Sequence, residues 1–355
     1  RAASACRSLV HWQFQAVDPL TQASIGAAAA AIVCRKAETR HALLLGALAG
    51  AAPDLDVLIR SEADPLLSLQ YHRHFTHALL IAPLIGMLVA ALFKGLFFWK
   101  HYPYRRLALF GMMGAITHGL IDACTSYGTL LYWPISHHRE SWDIISIIDP
   151  IFTLPLVLLT VIAFVFRRPR FAQFAVALCV VYLSLGIYQR GQATQIAAQI
   201  AEERDHRPEE LSVRPSLANI LLWRIVYRSG DQYYVDAVRT TPFSEPRQYP
   251  GSIVHAFSEA SAQMIAPEDS VLAYDIERFR FFSQGYLYRY SDEAHVVGDL
   301  RYAMFPDSIK PLWGIRMNPA TPEDHVSMEY FRDPSQRGFD RLWRMIRGES
   351  VEPLD

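Results

Sequence analysis

Residues 107–125, LALFGMMGAITHGLIDACT, decide the fold class of this 355-residue chain. The run is apolar along almost all of its length, which is close to the roughly 20 residues that a helix needs to cross the hydrocarbon core of a bilayer. It carries His118 and Asp122, two side chains that are costly to expose to lipid. Their four-residue spacing places both on one face of a helix. The stretch therefore predicts a membrane helix that turns a polar pair toward the protein interior.

Further apolar runs surround this stretch, and nearly all of them come before residue 190. They are residues 20–34, 41–53, 78–99, 144–166 and 171–188. The last three have the length of a span or nearly so, whereas the first two are short and contain small residues that favour close helix contact. Together the runs predict a polytopic α-helical membrane core of about six spans within residues 18–188.

Basic residues indicate the orientation of this core, because they cluster in three of the predicted loops. The clusters are Arg35, Lys36 and Arg40; Lys100, Arg105 and Arg106; and Arg167, Arg168 and Arg170. With six spans all three clusters fall on one side of the membrane, which the positive-inside rule identifies as cytoplasmic. Residues 54–77, residues 126–143 and everything after Tyr188 are then expected outside the cytoplasm.

The second half of the chain has a different pattern. Residues 189–210 are polar and helical in period, which predicts a helical stalk. Alternating or β-rich runs follow, and Ser229-Gly230-Asp231 between two of them is typical of a hairpin turn. These runs are residues 221–227, 232–238, 278–290 and 296–305. We therefore expect residues 211–355 to form a small β-rich or α+β extracytoplasmic domain.

Composition argues against several classes of protein. A net charge of -1 carries no nucleic-acid footprint. The four cysteines have no CxxC or CxxxC spacing, which disfavours a disulfide framework or a cysteine zinc site. An HExxH motif and a GxSxG motif are both absent from the sequence, so it does not suggest a zincin protease or a serine hydrolase. The sequence leaves the oligomeric state open.

Histidines and aspartates collect where the predicted spans reach the outer face. Asp54 and Asp56 follow the second run, His72, His74 and His77 precede the third, and His118 and Asp122 end the fourth. Imidazole and carboxylate are common ligands of zinc and of other divalent ions. In isolation each motif has a plainer explanation: a polar pair that joins helices, a basic interfacial cap, or a turn with solvated carboxylates.

In combination, these motifs predict a site for one or more divalent metal ions. The predicted ligands are Asp54, Asp56, His72, His77, His118 and Asp122. Zinc is the first choice of metal, with manganese or magnesium as alternatives. His118 is predicted to lie about one turn deeper in the membrane than the other ligands.

Two more residues are predicted to take part in catalysis. Arg73 lies among the histidines, and its guanidinium fork can pair with two oxygens of a phosphate or another oxyanion. Asp149 precedes Pro150 within an apolar run, where a spare carboxylate can serve as a general base. An interface anchor for Arg73 and a structural partner for Asp149 remain alternatives.

The order of these motifs resembles that of the YdjM/YbcI-like family. The matching segments are Asp18-Pro19-Leu20-Thr21-Gln22, Leu48-Ala49-Gly50, Pro53-Asp54-Leu55-Asp56, His72-Arg73-x-x-Thr76-His77 and His118-x-x-x-Asp122. The resemblance covers roughly residues 18–160. It implies a bacterial or archaeal inner-membrane protein with a polytopic core and a metal-dependent hydrolase activity, without a known substrate.

The chain departs from the family pattern at two positions. Gln22 stands where the family has a histidine, and glutamine is a poor metal ligand, so the resemblance implies a weakened site. His74 occupies a position that is usually small in the family and is a candidate for compensation.

The leading functional expectation is a metal-dependent hydrolase at the outer membrane–water interface. Its expected substrate is a membrane lipid or another amphiphile, with a phosphoester first and an amide second. The alternatives are a metal or proton transporter and a non-catalytic membrane scaffold. A transporter would need polar residues along a whole path, and the cytoplasmic halves of the predicted spans lack them.

Overall fold

The computed structural model describes residues 19–96, 102–293, 295–331 and 336–352. Asp18 of the first motif and Lys100 of the second basic cluster lie outside these ranges.

The chain divides into two compact units. The first contains the described residues of Arg1–Leu58 and Tyr71–Leu185, and the second those of Ile59–Gln70 and Gly186–Asp355.

Among the described residues, the first half of the chain is mainly helical, and three further helices lie in the second half. In chain order they are α1 (Pro19–Ile32), α2 (Thr39–Ala51), α3 (Leu67–Tyr71), α4 (Ala82–Leu96), α5 (Tyr104–Cys124), α6 (Pro150–Phe166), α7 (Pro169–Glu203), α8 (Glu259–Gln263), α9 (Val271–Phe282) and α10 (Gln336–Arg347). Short 3-10 helices at Ala52–Leu58 and Phe75–His77 complete the part of the first unit that carries the polar motifs.

Candidate membrane spans are fewer than the sequence predicts. Among the described residues, Lys36–Leu58, Tyr104–Cys124 and Pro169–Glu203 are long and apolar enough to cross a bilayer. The pair Leu67–His77 and Ala82–Leu96, bent by 84°, raises the number to four if it forms one span. The structure therefore supports three or four candidate spans and does not confirm six. The helices α1 and α6, with 14 and 17 residues, are shorter than the roughly 20 residues of a typical span.

α6 is shorter than predicted because of its N-cap. The side chain of Asp149 accepts hydrogen bonds from the backbone N–H groups of Ile151 and Phe152, and Pro150 occupies the first helical position. Both features begin a helix, so residues 144–149 of the predicted run lie before α6 rather than in it.

The surface of α4 supports a membrane setting. Leu84, Leu88, Leu92 and Leu96 follow one another at four-residue spacing and are 55% to 70% exposed. A continuous apolar stripe of this kind is unfavourable in water and is suited to lipid.

Glycines allow the helices of the first unit to pack backbone to backbone. An added Cβ at Gly26 of α1 would lie 2.8 Å from the α-carbon of Gly50 in α2. Gly46 of α2 makes the same kind of contact with Gly114 of α5. Small residues at helix contacts are typical of membrane helix packing. Here they bring α1, α2 and α5 close together, and these helices carry or adjoin the polar motifs.

The C-terminal region is β-rich, as predicted, and contains two four-stranded antiparallel sheets. The first contains β1 (Glu210–Pro215), β2 (Leu222–Ser229), β3 (Gln232–Thr241) and β4 (Ser244–His255) in sequence order. The second contains β5 (Leu287–Arg289), β6 (Val296–Asp299), β7 (Trp313–Arg316) and β8 (Ser327–Tyr330), also in sequence order.

Local predictions in this region have mixed outcomes. The predicted hairpin is confirmed, because Ser229 pairs with Gln232 and Gly230 has a φ of 64°. The predicted β run at 278–290 is wrong over its first five residues, which belong to α9 because Ser270 caps that helix. The predicted span 171–188 and most of the predicted stalk 189–210 form one uninterrupted helix, α7.

Candidate metal centre

Two buried histidines form the centre of the site. The Nδ1 atom of His118, on α5, lies 2.5 Å from the carbonyl oxygen of Gly50 at the end of α2. A carbonyl oxygen can only accept, so Nδ1 carries the proton and Nε2 presents a lone pair when the ring is neutral. This is the tautomer of a histidine that binds a metal through Nε2.

His77 has the same arrangement. Its Nδ1 atom lies 2.9 Å from the Thr76 hydroxyl and 3.3 Å from Oδ2 of Asp56. The Thr76 hydroxyl donates to Asp56, so its oxygen is left to accept from His77. The Nε2 atoms of His77 and His118 are 2.9 Å apart. Two lone pairs at this distance repel each other, so a metal ion or a proton bound by both nitrogens would stabilise the arrangement.

Asp54 and Asp122 complete a group of four converging ligand atoms. Oδ1 of Asp54 lies 3.4 Å from Nε2 of His77 and 3.3 Å from Nε2 of His118. Oδ2 of Asp122 lies 3.2 Å and 3.6 Å from the same two atoms. A tetrahedral zinc ion with bonds of about 2.0–2.1 Å has ligands about 3.3–3.4 Å apart. The two nitrogens and two oxygens therefore fit a tetrahedral divalent ion.

Gln22 supports Asp122. Its Nε2 atom donates to Oδ1 of Asp122 at 2.8 Å, and the side chain is fully buried. This bond leaves Oδ2 of Asp122 directed at the two histidines. Gln22 thus contacts a candidate ligand. That glutamine in place of the family's histidine weakens metal binding stays a prediction.

Asp56 and His72 lie behind His77. Oδ1 of Asp56 contacts Nδ1 of His72 at 2.9 Å, and Oδ2 accepts from the Thr76 hydroxyl and from the backbone N–H of Arg73, both at 3.0 Å. Asp54, Asp56 and His72 also form a second group whose ligand atoms lie within 4.8 Å of one another. The structure thus brings all six predicted ligands together.

Arg73 is fully buried beside the same group, with its guanidinium over the ring of Tyr127. Its Nε atom lies 3.2 Å from Oδ2 of Asp122, and Nη1 donates to the Thr125 hydroxyl at 2.9 Å. Within the described part of the chain, Nη2 has no hydrogen-bond partner. The backbone of Arg73 has a φ of 58°, which is costly for a residue with a Cβ. Strained backbone of this kind is concentrated at functional sites. A buried, unpaired cationic donor suits an anionic group.

Asp149 and His74 are placed elsewhere. Oδ1 of Asp149 caps α6, and Oδ2 accepts from the Tyr182 hydroxyl at 2.8 Å. None of its described contacts involves the four converging residues. His74 accepts from the backbone N–H of Phe75 and packs against Trp133, so it does not contribute to the tetrahedral group.

Sequence reasoning missed several supporting groups. The Gly50 carbonyl and the hydroxyls of Thr76 and Thr125 orient His118, His77 and Arg73. Gly50 and Thr76 lie inside the motifs, but a backbone carbonyl has no signal in a sequence. Thr125 follows Asp122 by three residues, a spacing that the sequence offers at many other positions.

A third acidic group, in the second unit, is satisfied without a metal. Asp64, Asp275 and His325 also lie near one another. The Arg278 guanidinium donates to both oxygens of Asp64 at 2.9 Å and to Asp275 at 3.0 Å. Although burial opposes ionisation, this pairing lowers the pKa of Asp64. The arginine already provides the cation that this group needs.

Candidate membrane helices around a buried group of histidines and aspartates define a membrane protein with a candidate metal centre. The family model of the YdjM inner membrane protein matches residues 17–193, so this part of the chain belongs to that family. The resemblance read from the motifs is thereby confirmed. No curated protein and no solved structure matches the chain.

The packing around His77 yields a first prediction. Gly119 follows His118 on α5, and a Cβ added there would overlap the carbonyl oxygen of His77. We expect Gly119→Ala to displace His77, to lower the bound metal below that of the wild type and to cost about 1–3 kcal/mol of stability. Metal analysis and thermal unfolding in detergent measure both effects.

Gly95→Ala is the matched control for this substitution. A Cβ at Gly95 of α4 would meet no described atom within 4 Å. Alanine is also the better helix former, so this variant should keep the stability and metal content of the wild type. Equal metal content in the two variants would contradict the predicted displacement of His77.

Proposed function

We propose that this chain is a membrane-embedded, metal-dependent hydrolase. The observation that carries the proposal is the convergence of two imidazole nitrogens and two carboxylate oxygens at a buried point, with nitrogen–nitrogen and nitrogen–oxygen distances of 2.9 to 3.6 Å. This donor set suits zinc best, and manganese or magnesium less well. Of the six predicted ligands, His77, His118, Asp54 and Asp122 supply the four converging atoms, while Asp56 and His72 either support these residues or hold a second ion.

A bound zinc ion would lower the pKa of a water molecule toward about 7 and so supply the nucleophile. The chain's own residues would do the rest. Arg73 would place its unpaired Nη2 donor on an oxygen of the substrate that gains negative charge during attack. A charged guanidinium donor favours a phosphoester over an amide, because the phosphoryl oxygens carry more charge.

We further propose a lipid or another amphiphile as the substrate, reached at the outer membrane–water interface. Most of the converging residues lie in or next to candidate membrane helices, and the matched family is an inner-membrane family. The family favours a multi-pass protein of a bacterial or archaeal inner membrane, and with six spans the basic loops favour an extracytoplasmic C-terminal domain. Nucleic acid is not an expected partner, because the net charge is -1.

Ion transport is the second candidate function. The cation between His77 and His118 can be a proton instead of a metal, and intramembrane histidines and aspartates also mark proton paths. Metal analysis separates this candidate from the first, since a proton pathway needs no stoichiometric metal. Uptake assays in proteoliposomes then test transport itself, and a scaffold should give neither metal nor transport.

The hydrolase proposal predicts a reversible dependence on metal. The purified protein in mild detergent should contain close to one equivalent of metal or more. It should hydrolyse a phospholipid monoester in mixed micelles, lose that activity when a chelator removes the metal, and regain it on addition of zinc or manganese. Full activity in protein shown to be metal-free would exclude the proposal.

A further inference from the structure

We propose that Asp54 is the residue that accepts the proton of the attacking water, and that His77, His118 and Asp122 are the permanent metal ligands. This inference rests on the hydrolase function proposed above. It divides the converging group into three residues that hold the metal and one that acts on the water.

The hydrogen bonds behind each residue support this division. Residues that bind a metal permanently are usually held in orientation by a second hydrogen bond to a group outside the site. His118 has the Gly50 carbonyl, His77 has the Thr76 hydroxyl, and Asp122 has the Gln22 amide.

Asp54 lacks such an anchor. Its Oδ2 atom is buried and, among the described residues, has no hydrogen-bond partner. Its Oδ1 atom lies 3.4 Å and 3.3 Å from Nε2 of His77 and of His118, which belong to the converging group itself. A carboxylate without an outer partner turns between the metal position and a water molecule more easily than the three anchored side chains, whose outer hydrogen bonds would have to break.

Exposure supports the same division. The side chain of Asp54 is 14% exposed, whereas those of His77, His118 and Asp122 are 0% to 1% exposed. Asp54 is thus the most exposed side chain of the four.

The number of ligands agrees with this assignment. A catalytic zinc site uses three protein ligands, commonly two histidines and a carboxylate, and keeps its fourth position for water. His77, His118 and Asp122 are such a set. Asp54 then lies at the position that must be free for water.

The proposed step balances in atoms and electrons. An O–H bond of the water breaks, and its proton passes to the Asp54 carboxylate. The water oxygen forms a bond to phosphorus while Arg73 donates from Nη2 to a phosphoryl oxygen. The bond from phosphorus to the ester oxygen then breaks, and that oxygen takes the proton from Asp54.

Asp54→Asn tests the assignment, with His118→Ala for comparison and Asp340→Asn, on the exposed face of α10, as a matched control. Each variant is purified as the full chain, and its zinc and cobalt affinities are measured apart from activity. We expect Asp54→Asn to keep metal affinity within about threefold of the wild type and to lose hydrolysis by about 10²–10⁴-fold. His118→Ala should lose metal, and Asp340→Asn should match the wild type.

The outcomes separate this inference from the function on which it rests. If Asp54→Asn loses metal as completely as His118→Ala, Asp54 is a permanent ligand and the inference is overturned. If Asp54→Asn keeps both metal and activity, the base is another residue and the inference is equally overturned. If the metal-loaded wild type hydrolyses no phosphoester or amide, the hydrolase function itself fails, whatever the metal affinity of the variant.

Discussion

His118→Ala should remove the bound metal and abolish hydrolysis. The substitution deletes one of the four converging ligand atoms and leaves the Gly50 carbonyl without its hydrogen-bond partner. Loss of an outer partner alone lowers metal affinity about 10–100-fold, so loss of a ligand should lower it by more. The measurement is the metal content of the purified variant, with hydrolysis recorded on the same sample.

The fold should survive this change, because the helix contacts around α5 depend on glycines rather than on the imidazole. Circular dichroism and size-exclusion chromatography in detergent check this expectation. His137→Ala is the matched control, since His137 is exposed and lies outside the converging group. A His118→Ala protein with wild-type metal content would show that the four atoms do not form the metal site.

Arg73→Met should lower kcat/KM for a phosphoester by about 10²–10³-fold while the protein still binds metal. The reason is that Nη2 of Arg73 is the buried donor left free for a substrate oxygen, whereas Asp122 keeps its bond from Gln22. Steady-state kinetics and metal analysis of one preparation separate the two effects. Because Arg73 is also the buried ion-pair partner of Asp122, the variant should be less stable than the wild type, and its folding is checked on the same preparation.

Arg73→Lys is the informative companion variant. It keeps the charge but loses the planar fork that donates to Thr125 and to a substrate oxygen at the same time. Activity between those of Arg73→Met and the wild type would support recognition of an oxyanion. Unchanged kcat/KM in Arg73→Met would instead make Arg73 a structural partner of Asp122 and Tyr127.

The candidate site was predictable from the sequence to a large extent, because its residues lie in short motifs with helical spacing. His118 and Asp122 share a helix face wherever α5 packs. Spacing alone could not distinguish Asp54 from the side chains that have an outer hydrogen bond. Two of those bonds come from Gln22 on α1 and from the Gly50 carbonyl at the end of α2, far from their partners in the sequence. Spacing also could not separate Asp149 from the site, since a buried carboxylate that caps a helix looks the same in a sequence as one that binds a metal.

Sequence alone determined the segregation of apolar residues into a helical first half, the β-rich second half with its Gly230 hairpin, and the set of polar residues from which a site could form. These are local properties, because hydropathy and periodicity sum over neighbours in the chain. The structure decided where the described helices begin and end, which leaves three or four of them as candidate spans, and it decided that Gln22, Gly50 and Thr76 orient the site. The second outcome depends on contacts such as Gln22 with Asp122 and His118 with Gly50, which join residues far apart in the sequence.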